Sequence, residues 1–135
     1  EYQKRLAHYI PFALQVIPEL KNTKALTAEQ QKQAEGELIL RAATPATDLI
    51  LLDEHGKEFR SIEFADYIQK RMSSGRDVVF VVGGPYGFSD MVYQRANGKI
   101  SLSKMTFSHQ MVRLFFVEQI YRAMTILRGE PYHHE

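Results

Sequence analysis

Two short apolar runs constrain this chain more than any other feature. Leu49-Ile50-Leu51-Leu52 is unbroken and stops at Asp53, and Val78-Val79-Phe80-Val81-Val82 is unbroken and stops at Gly83. Runs of this length without polar alternation suit strands covered on both faces, as in a parallel sheet. Parallel neighbours need a crossover. Residues 61–73 supply one, with Phe64, Ala65, Ile68 and Met72 on a single helical stripe. The unit is β–α–β.

The rest of the chain continues the alternation. Residues 1–8 read as the end of a helix stopped before Pro11, and residues 12–17 as a strand closed by Pro18. Thr27-Ala28-Glu29-Gln30 has capping-box spacing, opening a polar and peripheral helix to about residue 41. Ser89-Asp90 opens a short helix to Ala96 that Asn97-Gly98 ends. Ile100-Ser101-Leu102-Ser103 reads as a small strand, and residues 108–128 as a long helix ended by Gly129. At 135 residues this is one α/β domain over residues 1–135.

The long helix has two apolar sides. Val112, Phe116, Val117, Ile120, Met124 and Leu127 form one stripe, and Met111, Phe115 and Ile126 form a second patch. A surface helix needs only one stripe. Periodicity leaves two covers open for the second: the chain's own elements, or another subunit.

Composition removes several classes of chemistry. There is no cysteine, which excludes disulfides, Cys-ligated zinc, Fe–S clusters and thiol nucleophiles. No apolar run approaches the ~20 residues of a membrane helix, and the polar N-terminus does not read as a signal peptide, so a cytoplasmic location is expected. His133-His134 lack the spacing of a metal pair, and no metal is expected. Residues 91–128 hold Arg95, Lys99, Lys104, Arg113, Arg122 and Arg128 against Glu118, a net +5 that leaves −4 for the rest of a chain totalling +1. Solvated helix faces and a phosphate-binding face both fit such an asymmetry.

Gly83-Gly84-Pro85-Tyr86-Gly87 follows a buried strand and leads towards a helix start. Ligands of open α/β sheets bind in the crevice at such strand ends, and glycines let the backbone approach them. Neither the dinucleotide fingerprint nor a P-loop is present. Exposed main-chain amides among apolar side chains suit a flat neutral ring such as adenine, although a tight turn without any ligand uses the same residues.

These glycines, the stretch Ser101-Leu102-Ser103-Lys104-Met105-Thr106-Phe107-Ser108-His109-Gln110-Met111-Val112-Arg113 and the terminal Pro131-Tyr132-His133-His134-Glu135 closely resemble the RlmH family of bacterial ribosomal RNA large subunit methyltransferases, of the SPOUT class. The resemblance runs essentially end to end. It implies an α/β fold, a parallel sheet flanked by helices with a C-terminal trefoil knot, an exception to the rule against threaded chains. It implies a homodimer that binds S-adenosylmethionine in the knot and methylates N3 of a pseudouridine in 23S ribosomal RNA on assembled ribosomes.

Carried over by motif, the cofactor contacts fall at Leu52, Gly83, Gly84, Leu102, Ser103, Lys104, Met105, Thr106 and Phe107. Arg113, Arg122, Tyr132, His133 and His134 are candidates for RNA contact, with Lys104 beside them. His109 and His133 are candidates for the base that removes the N3 proton. The dipole at a helix start favours a neutral His109, but a capping or core role fits the same position. The family's opening strand and Val-Gly-Lys-like turn have no counterpart before residue 1, so that strand is expected to be missing. Two rivals stand beside this reading: a non-enzymatic ribosome- or RNA-binding protein, and a SPOUT methyltransferase with another RNA target.

Overall fold

The fold is seen in a computed structural model that describes residues 26–83, 87–103, 105 and 107–130, with the His109 side chain outside that set. The expected helix and strand within residues 1–17 lie outside the described residues.

Helix α1 (Ala28–Ala42) starts on the expected capping box: Thr27 Oγ1 accepts from the Gln30 N–H at 3.1 Å, and Gln30 Oε1 accepts from the Thr27 N–H at 3.0 Å. Strand β1 (Thr47–Glu58) contains the first apolar run, and β2 (Asp77–Val82) the second. Between them α2 (Ser61–Ser73) occupies the predicted residues, opened by the Glu63 carboxylate accepting from the Arg60 N–H at 2.8 Å. Helix α3 (Asp90–Arg95) and strand β3 (Gly98–Ser101) follow. Helix α4 (His109–Leu127) begins with Ser108 Oγ accepting from the Met111 N–H at 3.3 Å and ends before Gly129, whose φ of +70° suits a residue without a Cβ.

The described strands form one parallel sheet in the order β2-β1-β3. Its two faces separate by the alternation of side chains along each strand. Ile50, Leu52, Val78, Phe80 and Ile100 pack against Phe64, Ala65 and Ile68 of α2 and Phe116, Val117 and Ile120 of α4. Leu49, Leu51, Val79 and Val81 pack against Ile39, Phe88 and Val92. The unbroken apolar runs are thus explained by helices on both faces.

Three details differ from the sequence reading. Helix α1 is less peripheral than its polarity suggests, because Glu35, Gly36 and Ile39 are buried. Ser89 is the N-cap of α3, yet its side chain makes no cap bond; it packs so closely on α1 that a Cβ at Gly36 would lie 2.6 Å from Ser89 Oγ. Strand β3 begins and ends two residues earlier than expected, because Gly98 already pairs with Ile50. A C-terminal trefoil knot is not visible among the described residues.

Strand β1 also runs past its apolar part. Its pairing with β3 holds at Leu52↔Ile100, is interrupted through residues 53–56, and resumes at Lys57↔Ile100. The intervening residues form an enlarged bulge, a device that re-aims side chains near sites. Its last residue must be glycine, since a Cβ at Gly56 would stand 2.6 Å from the Ile100 backbone N and C.

The amino end of β1 is braced by arginines. Asp48 accepts from Arg71 Nη1 at 2.9 Å and Arg76 Nε at 2.7 Å, while Arg95 Nη2 donates to the Thr44 carbonyl at 2.7 Å. Burial alone would raise the Asp48 pKa, but the Arg76 and Arg71 bonds and charges hold it below the ordinary value.

Candidate active site

The register brings three strand ends level. Leu52 of β1 pairs with Val82 of β2 on one side and Ile100 of β3 on the other. Gly83 and Leu102 are therefore carried to the same edge of the sheet. Val82 and Leu102 pack against the cluster that contains Leu52 and Ile100, giving this edge an apolar floor. At its rim Gly83 is half-buried, and a Cβ there would lie 2.8 Å from Phe88 Cζ. The backbone at this strand end has no room for a side chain on that side, and it approaches the ring as only glycine can.

The loop after β3 is held locally. Ser101 Oγ donates to the Ser103 carbonyl at 2.9 Å, and Ser103 Oγ accepts from the Met105 N–H at 3.0 Å. Phe107 stacks edge-on with Phe115 of α4, centroids 5.3 Å apart at 79°. Of the cofactor positions carried over by motif, Leu52, Gly83, Leu102 and Ser103 gather at the sheet edge, while Met105 and Phe107 stand exposed beyond it. Gly84, Lys104 and Thr106 lie outside the described residues.

An apolar floor with bare main chain at its rim fits an adenosyl group: the floor suits the ring and the backbone suits its polar edge.

Beside this edge, on the α2–α4 side, opens a cleft of about 310 Å³ lined by Phe59, Ser61, Ser103, Phe107, Phe115 and Gln119 among others. Phe59, Ser61, Glu118 and Gln119, which line this cleft, are not among the candidates read from the sequence. One signal for them existed: Glu118 is the lone acidic residue in the +5 segment and stands with Gln119 inside an otherwise apolar turn of α4.

The basic residues divide. Arg113 is exposed. Arg122 Nη2 donates to Glu118 Oε1 at 2.6 Å, and Arg95 braces the loop before β1, so both serve internal contacts. Tyr132, His133 and His134 lie outside the described residues, as does the His109 side chain.

Within the bulge, Asp53 accepts from the Tyr93 hydroxyl and from the His55 N–H, the latter at 2.8 Å. Burial pushes the Asp53 carboxyl up, but these bonds outweigh it and hold its pKa below the usual carboxylate value. Burial, with the Asp53 bond and charge, pushes the Tyr93 phenol well above its ordinary range. Among the described residues no group of His, Asp and Glu is arranged to hold a metal ion.

Comparison with known proteins agrees with this architecture. Residues 1–133 match the family model described as "Predicted SPOUT methyltransferase". A Bacteroides thetaiotaomicron protein named ribosomal RNA large subunit methyltransferase H is 65% identical over 136 residues, covering 100% of this chain and 87% of that protein. Proteins of the same name from Parabacteroides distasonis and Flavobacterium psychrophilum are 64% and 62% identical over the same shares. With Gly83 and Leu102 carried to level strand ends, and a match spanning nearly all of its length, the chain belongs to the SPOUT methyltransferase family.

Proposed function

We propose that this protein methylates N3 of a pseudouridine in 23S ribosomal RNA, on assembled ribosomes in the cytoplasm, with S-adenosylmethionine as donor and as a homodimer. The observation that carries the reading is the levelling of Leu52, Val82 and Ile100 with Gly83 bare at the rim. The relatives' name, which specifies large-subunit ribosomal RNA, supports the substrate class.

The donor, when bound, supplies a methyl group already activated on a sulfonium, which departs as a neutral thioether. The protein's own work is positioning. Leu52, Val82 and Leu102 offer the apolar floor, and the main chain at Gly83, Gly84 and the loop from Leu102 to Phe107 holds the polar edge. Alignment of the acceptor nitrogen and exclusion of water supply most of the acceleration. The N3 proton of a weakly acidic imide must leave as the N–CH3 bond forms, and a neutral His109 or His133 would accept it. Arg113 and the tail residues Tyr132, His133 and His134 are the RNA contacts of this proposal.

The homodimer is supported by an uncovered face. Met111, Leu114 and Phe115 follow helical spacing along α4 and are 41%, 49% and 36% exposed, and Phe107, 38% exposed, packs on Phe115. Ile126, counted with this face from the helical wheel, packs against the core instead. A contiguous apolar face next to a site is an association surface, and a twofold mate would bury it against itself.

The test is transfer of labelled methyl to whole ribosomes and to free ribosomal RNA, followed by mapping of the modified base. Methyl at N3 of a pseudouridine, on ribosomes, is the expected result. Binding to ribosomes without transfer would instead identify a non-enzymatic RNA-binding protein, and methyl at another base a different target.

A further inference from the structure

We propose that Gln119 determines specificity for pseudouridine over uridine, by reading the N1–H and C2 carbonyl of the target base in the cleft between α2 and α4. This rests on the function proposed above and adds what the site recognises. The cleft adjoins the candidate cofactor edge but is distinct from it. Leu52, Val82 and Gly83 do not line it, whereas Leu102, Ser103 and Phe107 do. Methyl transfer requires the acceptor nitrogen in direct contact with the donor's methyl, and Leu102, Ser103 and Phe107, which line the cleft and count among the cofactor candidates, bring the two sites together.

The cleft suits a flat ring. Its walls include Phe59 and Phe64, with centroids 6.1 Å apart, and the Phe107–Phe115 pair. Unstacked bases are held on such aromatic surfaces. About 310 Å³ is at the small end of ligand sites, enough for one base with part of its sugar.

The polar wall is oriented. Arg122 Nη2 donates to Glu118 Oε1, and Gln119 Nε2 donates to Glu118 Oε2 at 3.0 Å. An ionised carboxylate only accepts, so this bond dictates which end of the Gln119 carboxamide is nitrogen. Ser61 Oγ donates to Gln119 Oε1 at 3.5 Å, a long contact. A carboxamide has two N–H donors and two oxygen lone pairs. Among the described contacts one N–H and one lone pair of that carboxamide remain.

That pair is complementary to an N–H beside a carbonyl. Methylation at N3 requires the N3 edge to face the donor, so recognition must use another edge. In pseudouridine the sugar is attached through carbon, and N1–H stands free beside the C2 carbonyl. In uridine N1 carries the sugar. Gln119 Oε1 would accept from N1–H, and its second Nε2–H would donate to the C2 carbonyl, leaving N3 clear. A site built to bond a substrate N–H discriminates strongly against an analogue lacking it.

The experiment compares kcat/KM for methyl transfer to ribosomes carrying pseudouridine at the target and to ribosomes from cells lacking the synthase that makes it. The unmodified protein, Gln119→Leu and Ser61→Ala are assayed, each checked for native fold by circular dichroism and for S-adenosylmethionine affinity by calorimetry. The unmodified protein should prefer pseudouridine. Gln119→Leu should lower that preference by about tenfold, the loss of one or two hydrogen bonds, with donor affinity retained. Ser61→Ala, which frees Oε1, should lower it by a smaller factor and decides the matter if Gln119→Leu does not fold. An unchanged preference in a folded variant overturns the role of Gln119 while leaving the proposed activity intact. Loss of donor affinity in Gln119→Leu also overturns it, by placing the cofactor's adenine in the cleft. No transfer by the unmodified protein to either ribosome would instead remove the proposed activity, and this inference with it.

Discussion

Gly56 lies against the backbone of Ile100 so closely that a Cβ would stand 2.6 Å from that residue's N and C atoms. The bulge over residues 53–56 can rejoin β3 only through this contact, since pairing resumes at the next residue, Lys57. Gly56→Ala should destabilise the fold by about 1–3 kcal/mol through overpacking against main chain that has no rotamer to change. Urea unfolding followed by circular dichroism measures it. A variant as stable as the parent would show that the bulge can shift without cost.

The pair Asp53–Tyr93 makes stability depend on pH at both extremes. The Asp53 pKa is depressed in the folded chain, so its contribution is present above the unfolded carboxylate value, about pH 4, and is lost as pH falls through the folded value. The Tyr93 pKa is raised, so its contribution is present below the unfolded phenol value, about pH 10, and is lost as pH rises beyond it. Tyr93→Phe should reduce the alkaline dependence, leaving the part due to the half-buried Tyr67 phenol, whose pKa is also raised, and move the Asp53 pKa up. Carboxyl titration by NMR reads the second effect, and unfolding curves against pH read the first.

The apolar face of α4 predicts a concentration-dependent oligomer. Leu114→Lys places a charge in the centre of that face, at a residue 49% exposed in the single chain, so the monomer has no reason to unfold. Sedimentation equilibrium should show a dimer for the parent and a monomer for the variant, with secondary structure retained. A parent that is monomeric at micromolar concentration would leave this face without its mate.

Legibility in the sequence followed the range of each interaction. The sequence bounds helix α2 at Ser61 and Ser73, as observed, and its bounds for α4, Ser108 and Arg128, are the two cap residues of the observed helix, because caps, stripes and terminators act within a few residues. The crossing of Leu52, Gly83 and Leu102 at one edge was also readable, since apolar runs that end abruptly mark strand ends. The bulge was not. Asp53-Glu54-His55-Gly56 looks like a loop, and only the return of Lys57 to Ile100 makes it part of a strand. The same holds for charge: Arg95 and Arg122 count towards a basic segment, but their partners Thr44 and Glu118 are known only once the chain is folded or placed on a helix. Ser61 and Gln119, 58 positions apart, meet only because α2 packs on α4.

The central claim is that main chain at level strand ends holds an adenosyl group, and calorimetric titration with S-adenosylmethionine tests it most directly. The parent should bind one equivalent per chain, and Gly83→Val, whose side chain must displace Phe88, should lose at least tenfold in affinity, about 1.4 kcal/mol, while remaining folded. Absence of saturable heat with the parent, or equal affinity in a folded Gly83→Val variant, would contradict the account.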